Sequence, residues 1–261
     1  MAKFASMIAC FSGCGNSRLV ADRLAELLSD SVTALRPGTD WNAAQGDTER
    51  MIWVFPVYSW GIPPVVASHI ASASLPEAMD HYMVCTCGDD TGLTDRQWRR
   101  MIRARGWKDI GAWSVIMPNT YVTLPGFDVD TPDVAQSKLN AAPARIAAIA
   151  RGIRHRARVD DVIRGAFPWL KSRIVYPLFK RSMMSPRPFR TTPDCTSCGL
   201  CARKCPMGNI TIVPGRGPQW GADCAFCLGC YNRCPVHAVA YGRATASKGQ
   251  YHSPESLPQQ P

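Results

Sequence analysis

Cys195-Thr196-Ser197-Cys198-Gly199-Leu200-Cys201-Ala202-Arg203-Lys204-Cys205-Pro206 and Cys224-Ala225-Phe226-Cys227-Leu228-Gly229-Cys230-Tyr231-Asn232-Arg233-Cys234-Pro235 are two copies of one pattern, C-x2-C-x2-C-x3-C-P. That spacing is the bacterial run that binds cubic iron–sulfur clusters. Three closely spaced thiolates wrap three corners of one small cluster, and the fourth crosses to its neighbour. The reading therefore places Cys195, Cys198, Cys201 and Cys234 around one [4Fe-4S] centre and Cys224, Cys227, Cys230 and Cys205 around the other. The repeat runs past the ligands, since Cys205-Pro206-Met207-Gly208-Asn209-Ile210 aligns with Cys234-Pro235-Val236-His237-Ala238-Val239. Zinc is a poor match, because a tetrahedral ion favours separated C-x2-C pairs over triply bunched ligands. A disulfide framework needs an oxidising compartment that nothing else in the chain suggests.

Upstream of these blocks the chain has ample length for a second domain, with 261 residues in all, 46% of them hydrophobic and 19% charged. Residues 1–153 alternate strand and helix. Phe4–Cys10, Met51–Tyr58, Tyr82–Thr86 and Trp113–Met117 are apolar runs of strand length. Helical periodicity falls between them, from Leu19 to near Ser29, at Pro64–Ala73, at Asp95–Arg105 and at about Val134–Ile153. This order predicts an α/β doubly wound parallel sheet, joined to a small α+β domain that carries the cysteines at 190–243. Ligands of such sheets sit beyond the carboxyl ends of the strands. Lys3 followed by apolar residues reads as a buried first strand, not a signal peptide, since no cleavage site follows. No run approaches the ~18 apolar residues of a membrane span, and eight reduced thiolates favour a cytoplasmic location.

Net charge is +10, and it is concentrated. Between Arg151 and Arg190 stand eleven basic residues against Asp160 and Asp161, a local net of +9. Residues 154–189 read as a basic connector with interleaved aromatics, broken into short pieces by Pro168, Pro177, Pro186 and Pro188. Its expected roles are joining the domains and docking an acidic electron carrier; membrane contact and nucleic acid are not expected. Residues 244–261 read as a disordered tail.

The strand-end loops hold the other candidate residues. Phe11-Ser12-Gly13-Cys14-Gly15-Asn16-Ser17 precedes a helix and offers small residues, backbone N–H groups and a helix dipole, the means of holding a phosphate. It matches neither the P-loop nor the dinucleotide fingerprint. Pro56-Val57-Tyr58-Ser59-Trp60-Gly61 sets two aromatics in a proline-framed turn suited to stacking on a flat ring. Cys87-Gly88-Asp89-Asp90 and Pro118-Asn119-Thr120-Tyr121 close the set. Cys10, Cys85 and Cys87 read as small apolar fillers, and none of the five histidines has a credible catalytic partner.

With these residues in place, the chain resembles the flavodoxin–ferredoxin fusion family over about residues 3–243. The first loop is similar to the flavodoxin phosphate loop, Phe55–Pro63 to its first flavin-ring loop, and the tail blocks to a two-[4Fe-4S] ferredoxin. The resemblance implies an FMN cofactor whose phosphate lies at Ser12, Gly13, Cys14, Gly15, Asn16 and Ser17. It implies a ring flanked by Pro56, Val57, Tyr58, Ser59, Trp60 and Gly61 and by Cys87, Gly88, Asp89 and Asp90, with Asn119 and Tyr121 near its edge. Cys14 stands where the family has Thr; a thiol is a weaker donor, which predicts weaker FMN binding. The implied function is electron transfer between the two clusters, FMN and a redox protein partner. The alternatives are a flavin-dependent reductase of a small molecule and a scaffold whose clusters are structural. No nicotinamide fingerprint is present, so NAD(P)H is not expected as a tight-binding donor.

Overall fold

The computed structural model describes residues 5–41, 48–255 and 257–258; Phe4 of the first expected strand lies outside them. Six parallel strands run β1 (Ala5–Cys10), β2 (Ser31–Ala34), β3 (Thr48–Pro56), β4 (Asp80–Cys87), β5 (Lys108–Ile116) and β6 (Asp160–Asp161). They stand in the order β2-β1-β3-β4-β5-β6, the flavodoxin-like doubly wound arrangement with its switch point between β1 and β3. Central strands are apolar without interruption because helices cover both faces; Met51 to Phe55 are all buried.

Strand alternation divides the core. Met7, Ala9, Phe11, Trp53 and Phe55 pack with Ile70 of α2 (Pro64–Ser72) and with Trp98 and Ile102 of α3 (Thr94–Ala104). Ile8, Cys10, Ile52 and Val54 pack on the other face, with Leu24 of α1 (Asn16–Leu28) and Ile146 and Ile149 of α4 (Pro132–Arg154). Inside the first cluster, His81 stacks on Trp107 at 4.6 Å and its Nδ1 accepts from Trp53 Nε1 at 3.1 Å. Burial lowers its pKa to about 3, so the imidazole stays neutral.

Two strands had no signal in the sequence. β2 is four residues long and half exposed at the sheet edge. β6 consists of two aspartates, held in place by Arg99, which bonds Asp160 at 2.5 Å, and by Arg145, which bonds Asp161 at 2.6 Å. The sheet therefore extends past residue 153 into the stretch expected to be connector.

That connector is also less broken than its prolines suggest. Helix α5 (Pro168–Leu170), a π-helical turn (Lys171–Val175) and α6 (Tyr176–Ser182) follow one another without a gap. Pro168 opens the run at a position that needs no donor. At the second proline the helix widens, with Tyr176 N–H donating to Lys171 O five residues back.

In the cysteine domain, β7 (Phe189–Thr191) pairs antiparallel with β10 (Val239–Tyr241), and β8 (Ile210–Val213) pairs with β9 (Gly217–Trp220). The duplication persists in the backbone. Ser197 and Phe226, Gly199 and Leu228, and Gly208 and His237 all have left-handed φ, at matching positions of the two blocks. Gly199 and Leu228 each precede a one-turn helix, α7 (Leu200–Arg203) and α8 (Gly229–Asn232).

The expectation of a disordered tail does not hold for the described residues beyond 243. Thr245 and Tyr251 are buried, Tyr251 N donates to Asn232 Oδ1 at 2.9 Å, and Leu257 packs against the α1–α4 side of the core. Polar composition concealed this because the anchors are single residues. Tyr251→Ala should cost about 2–4 kcal/mol, the scale for emptying a buried large side chain. A lowered urea midpoint would show it, and an unchanged midpoint would return the segment to a free tail.

Candidate functional site

The first loop leaves β1 and turns into α1 at Gly15, whose φ of 120° no side-chain-bearing residue adopts easily. None of the backbone N–H groups of residues 12–17 has a backbone carbonyl partner among the described residues. Asn16 Nδ2 donates to Pro118 O at 2.8 Å, and Ser17 Oγ meets Thr86 Oγ1 at 2.7 Å, which ties three strand ends together. The result is a cluster of free N–H donors at a helix N-terminus, fit for an anion.

After β3, Tyr58 and Gly61 exchange backbone hydrogen bonds at 2.9 Å around Ser59 and Trp60, both left-handed. Two non-glycine residues in that region cost of order 1–3 kcal/mol each, and the connector secures them. Ser172 Oγ donates to Trp60 O at 2.8 Å and accepts from Leu93 N at 2.7 Å. Tyr176 Oη donates to Ile62 O at 2.5 Å, and Lys171 Nζ lies 5.0 Å from the Trp60 ring centroid while pairing with Asp90 at 2.6 Å. The fourth loop is set by Asp130, which accepts from Asn119 N and Nδ2 and pairs with Lys138 at 2.7 Å. Hydrogen bonds from Lys138 and Asn119 hold this carboxyl below its usual pKa although burial opposes them.

These loops surround a cavity of about 420 Å³, within the range of small-molecule sites. Ser12, Gly13, Cys14, Asn16 and Ser17 line it, as do Pro56, Val57, Tyr58, Ser59, Trp60, Cys87, Gly88, Asp89, Asp90, Asn119 and Tyr121. Gly15 and Gly61 do not. Their roles are steric: a Cβ on Gly15 would strike Ser253, and one on Gly61 would strike the Tyr176 ring. Tyr58 Oη and Asn16 Oδ1 are buried polar atoms of cavity-lining residues without a protein partner. Buried groups of this kind ordinarily have one, so a polar ligand suits them. Sequence reasoning missed further parts of the wall, among them Lys171, Val175, Phe179 and Met183 of the connector, and Phe226 and Leu228 of the second cysteine block. Their signal was the interleaving of apolar and basic residues, which does not say which face turns inward.

The eight block cysteines fall around two smaller cavities. One is lined by Cys195, Cys198, Cys201 and Cys234, the other by Cys205, Cys224, Cys227 and Cys230. These are the crossed sets read from the spacing. Among the described residues no three His, Cys, Asp or Glu side chains converge closely enough for a single ion. Backbone N–H groups point at sulfur in both copies, Asn209 N to Cys205 Sγ at 3.4 Å and Ala238 N to Cys234 Sγ at 3.2 Å.

The two sites meet at Cys227 and Leu228, which line both cavities. The Cys227 carbonyl accepts from Cys14 Sγ at 3.2 Å, and Asn232 Nδ2 approaches the same sulfur at 3.4 Å. Cys14, expected as a weak phosphate donor, thus donates its thiol to the second block. Burial pushes its pKa up to about 11, and those of Cys10 and Cys87 to about 12; Cys85 is also raised by burial. Burial thus favours the protonated form of all four thiols, in keeping with their reading as apolar fillers.

No family model matches the chain, and no curated protein sequence matches it. Solved structures similar to it include a Streptococcus pneumonia TIGR4 flavodoxin (14% identity, 59% of this chain and 99% of that one, TM-score 0.41). Others are the Trp repressor binding protein of Bacillus subtilis (12%, 59% and 100%, 0.39) and a Fusobacterium nucleatum flavodoxin bound to flavin mononucleotide (10%, 59% and 98%, 0.40). Strand order, not these distant likenesses, assigns the fold.

Folded protein treated with iodoacetamide should keep Cys10, Cys14, Cys85 and Cys87 unmodified at pH 8, with labelling rising only as pH nears the raised thiol values of about 11–12. Peptide mapping by mass spectrometry reads this directly. Rapid labelling of Cys14 at pH 8 would contradict the buried contact with Cys227.

Proposed function

We propose that this chain is a flavo-iron-sulfur electron-transfer protein, with FMN in the large cavity and a [4Fe-4S] cluster in each cysteine cavity. The observation that carries the reading is Cys227, a wall of both the flavin cavity and one cluster cavity. Bound FMN would supply a carrier that exchanges two electrons singly, and the clusters would supply one-electron carriers, with the protein fixing distance and potential.

The residues present fit these groups. Free N–H donors of residues 12–17 suit the FMN phosphate, and the Tyr58 and Asn16 orphan atoms suit polar ligand edges. Thiols set around a cavity rather than on a point suit a multi-atom cluster better than a lone ion. The two cluster sites also take an order. The Cys205, Cys224, Cys227 and Cys230 set adjoins the flavin cavity. The Cys195, Cys198, Cys201 and Cys234 set lies apart from it, and Cys198 is solvent-exposed. The Cys195, Cys198, Cys201 and Cys234 set is therefore the port for a redox protein partner, and the set containing Cys227 is the link inward. Val175 and Phe179 cover part of the large cavity, which favours electron carriage over the reductase alternative.

Anaerobic preparations should contain one FMN, and iron and sulfide for two clusters, with paramagnetic signals on reduction. Cys198→Ser and Cys227→Ser should each lose about half the iron, since each removes a ligand from one of two sites. Only Cys227→Ser should also alter the flavin spectrum. Colourless protein, or a zinc content in place of iron, would overturn the reading. Flavin bleaching should follow a reduced ferredoxin and not NADH alone.

A further inference from the structure

We propose that the outer face of the connector helices, residues 167–181, docks on the surface of an anionic phospholipid bilayer. This concerns the outer face of the run, not the cavity it walls, and stands whether or not the cofactor reading does.

Large apolar side chains are concentrated there against solvent. Phe167 is 76% exposed, Trp169 62%, Leu178 59%, Leu170 47% and Ile174 43%. Leu170, Ile174 and Leu178 recur every fourth residue, one stripe along a helix. The opposite face is fully engaged: Ser172 is buried on Trp60 and Leu93, Tyr176 bonds Ile62, and Phe179 is buried in the aromatic cluster with Phe226. The apolar stripe is thus left over after the helix has packed. Monomeric surfaces rarely keep such patches without a partner. No helix among the described residues is long and apolar enough to cross a membrane, so the stripe can lie on a bilayer but not span it.

Charge selects the occupant. Arg173 and Arg181, each three residues beyond a stripe leucine, flank the stripe and are exposed, and no acidic residue occurs between Asp161 and Asp194. Cations beside a stripe of Trp, Phe and Leu match an interfacial helix that sinks its apolar side about 5–10 Å into the headgroup boundary. The stripe lies along one helical run that stands on the loops beneath it. A deformable lipid layer accommodates the stripe directly, whereas a protein partner would need a matching groove. This assigns to lipid the basic face that sequence alone suggested for an acidic carrier.

Flotation of the full chain, prepared anaerobically, tests the proposal. It should float with phosphatidylcholine vesicles that contain phosphatidylglycerol and remain in solution with phosphatidylcholine alone. Arg173→Glu/Arg181→Glu and Leu170→Ser/Leu178→Ser should each lower binding by roughly tenfold or more. Arg36→Glu/Arg216→Glu, the same charge change on exposed sites elsewhere, should retain it. Circular dichroism confirms that each variant is folded. The proposal is overturned if the wild type fails to float or if the control pair loses binding equally. It is also overturned if the outer face captures a reduced acidic ferredoxin while ignoring the vesicles.

Discussion

Two backbones touch where Gly13 meets Gly229, and the arrangement of both halves depends on that approach. A Cβ on Gly13 would lie 2.4 Å from Cys227 Cβ, and one on Gly229 would lie 2.6 Å from Gly13 O. Real Cβ atoms do not approach so closely, so any side chain at either position separates the loops. Around this contact, Cys14 Sγ donates to Cys227 O, and Asn232 Nδ2 reaches Thr120 O at 3.1 Å. The loop after β1 lines the large cavity and thereby also serves as the seat of the second cysteine block. One short stretch has two duties, and both need small residues.

That double duty suits the thiol of Cys14. A buried thiol is a small apolar filler with a weak donor. It joins Val122, Phe179, Phe226, Leu228 and Tyr231 in the third apolar cluster, which fills the space between the sheet and the block. The structure uses sulfur there as packing first and as a hydrogen bond second.

How much of this was legible depended on whether a signal was local. β1, β3, β4 and β5 showed themselves as apolar runs, because helices on both faces leave no polar side to a central strand. The grouping of the cysteines around two cavities agrees with the sets read from their spacing, because the repeat itself is local. All four strand-end loops line one cavity, because their order along the sheet follows from the doubly wound path. β6 was invisible: its strand character lies in Arg99 and Arg145, which are distant in sequence from Asp160 and Asp161. The tail was invisible for the same reason, as Tyr251 reads as an isolated aromatic until Asn232 and the core beneath it are placed.

The connector shows where composition and structure part. Its prolines argued for fragments, yet a π-helical turn keeps residues 168–182 continuous, and the basic count did not reveal that the run has two faces. The inner face is fixed by specific bonds rather than by general apolar attraction: Lys171 to Asp90, Ser172 to Trp60 and Leu93, and Tyr176 to Ile62. Rolling the helix to bury Leu170, Ile174 and Leu178 would break every one of them. It would also strand the left-handed Ser59–Trp60 turn, whose conformation persists only while its surroundings hold it. The outward apolar stripe is therefore a consequence of how the cavity wall is built. An apolar surface that the fold cannot turn away from water remains available to whatever covers it.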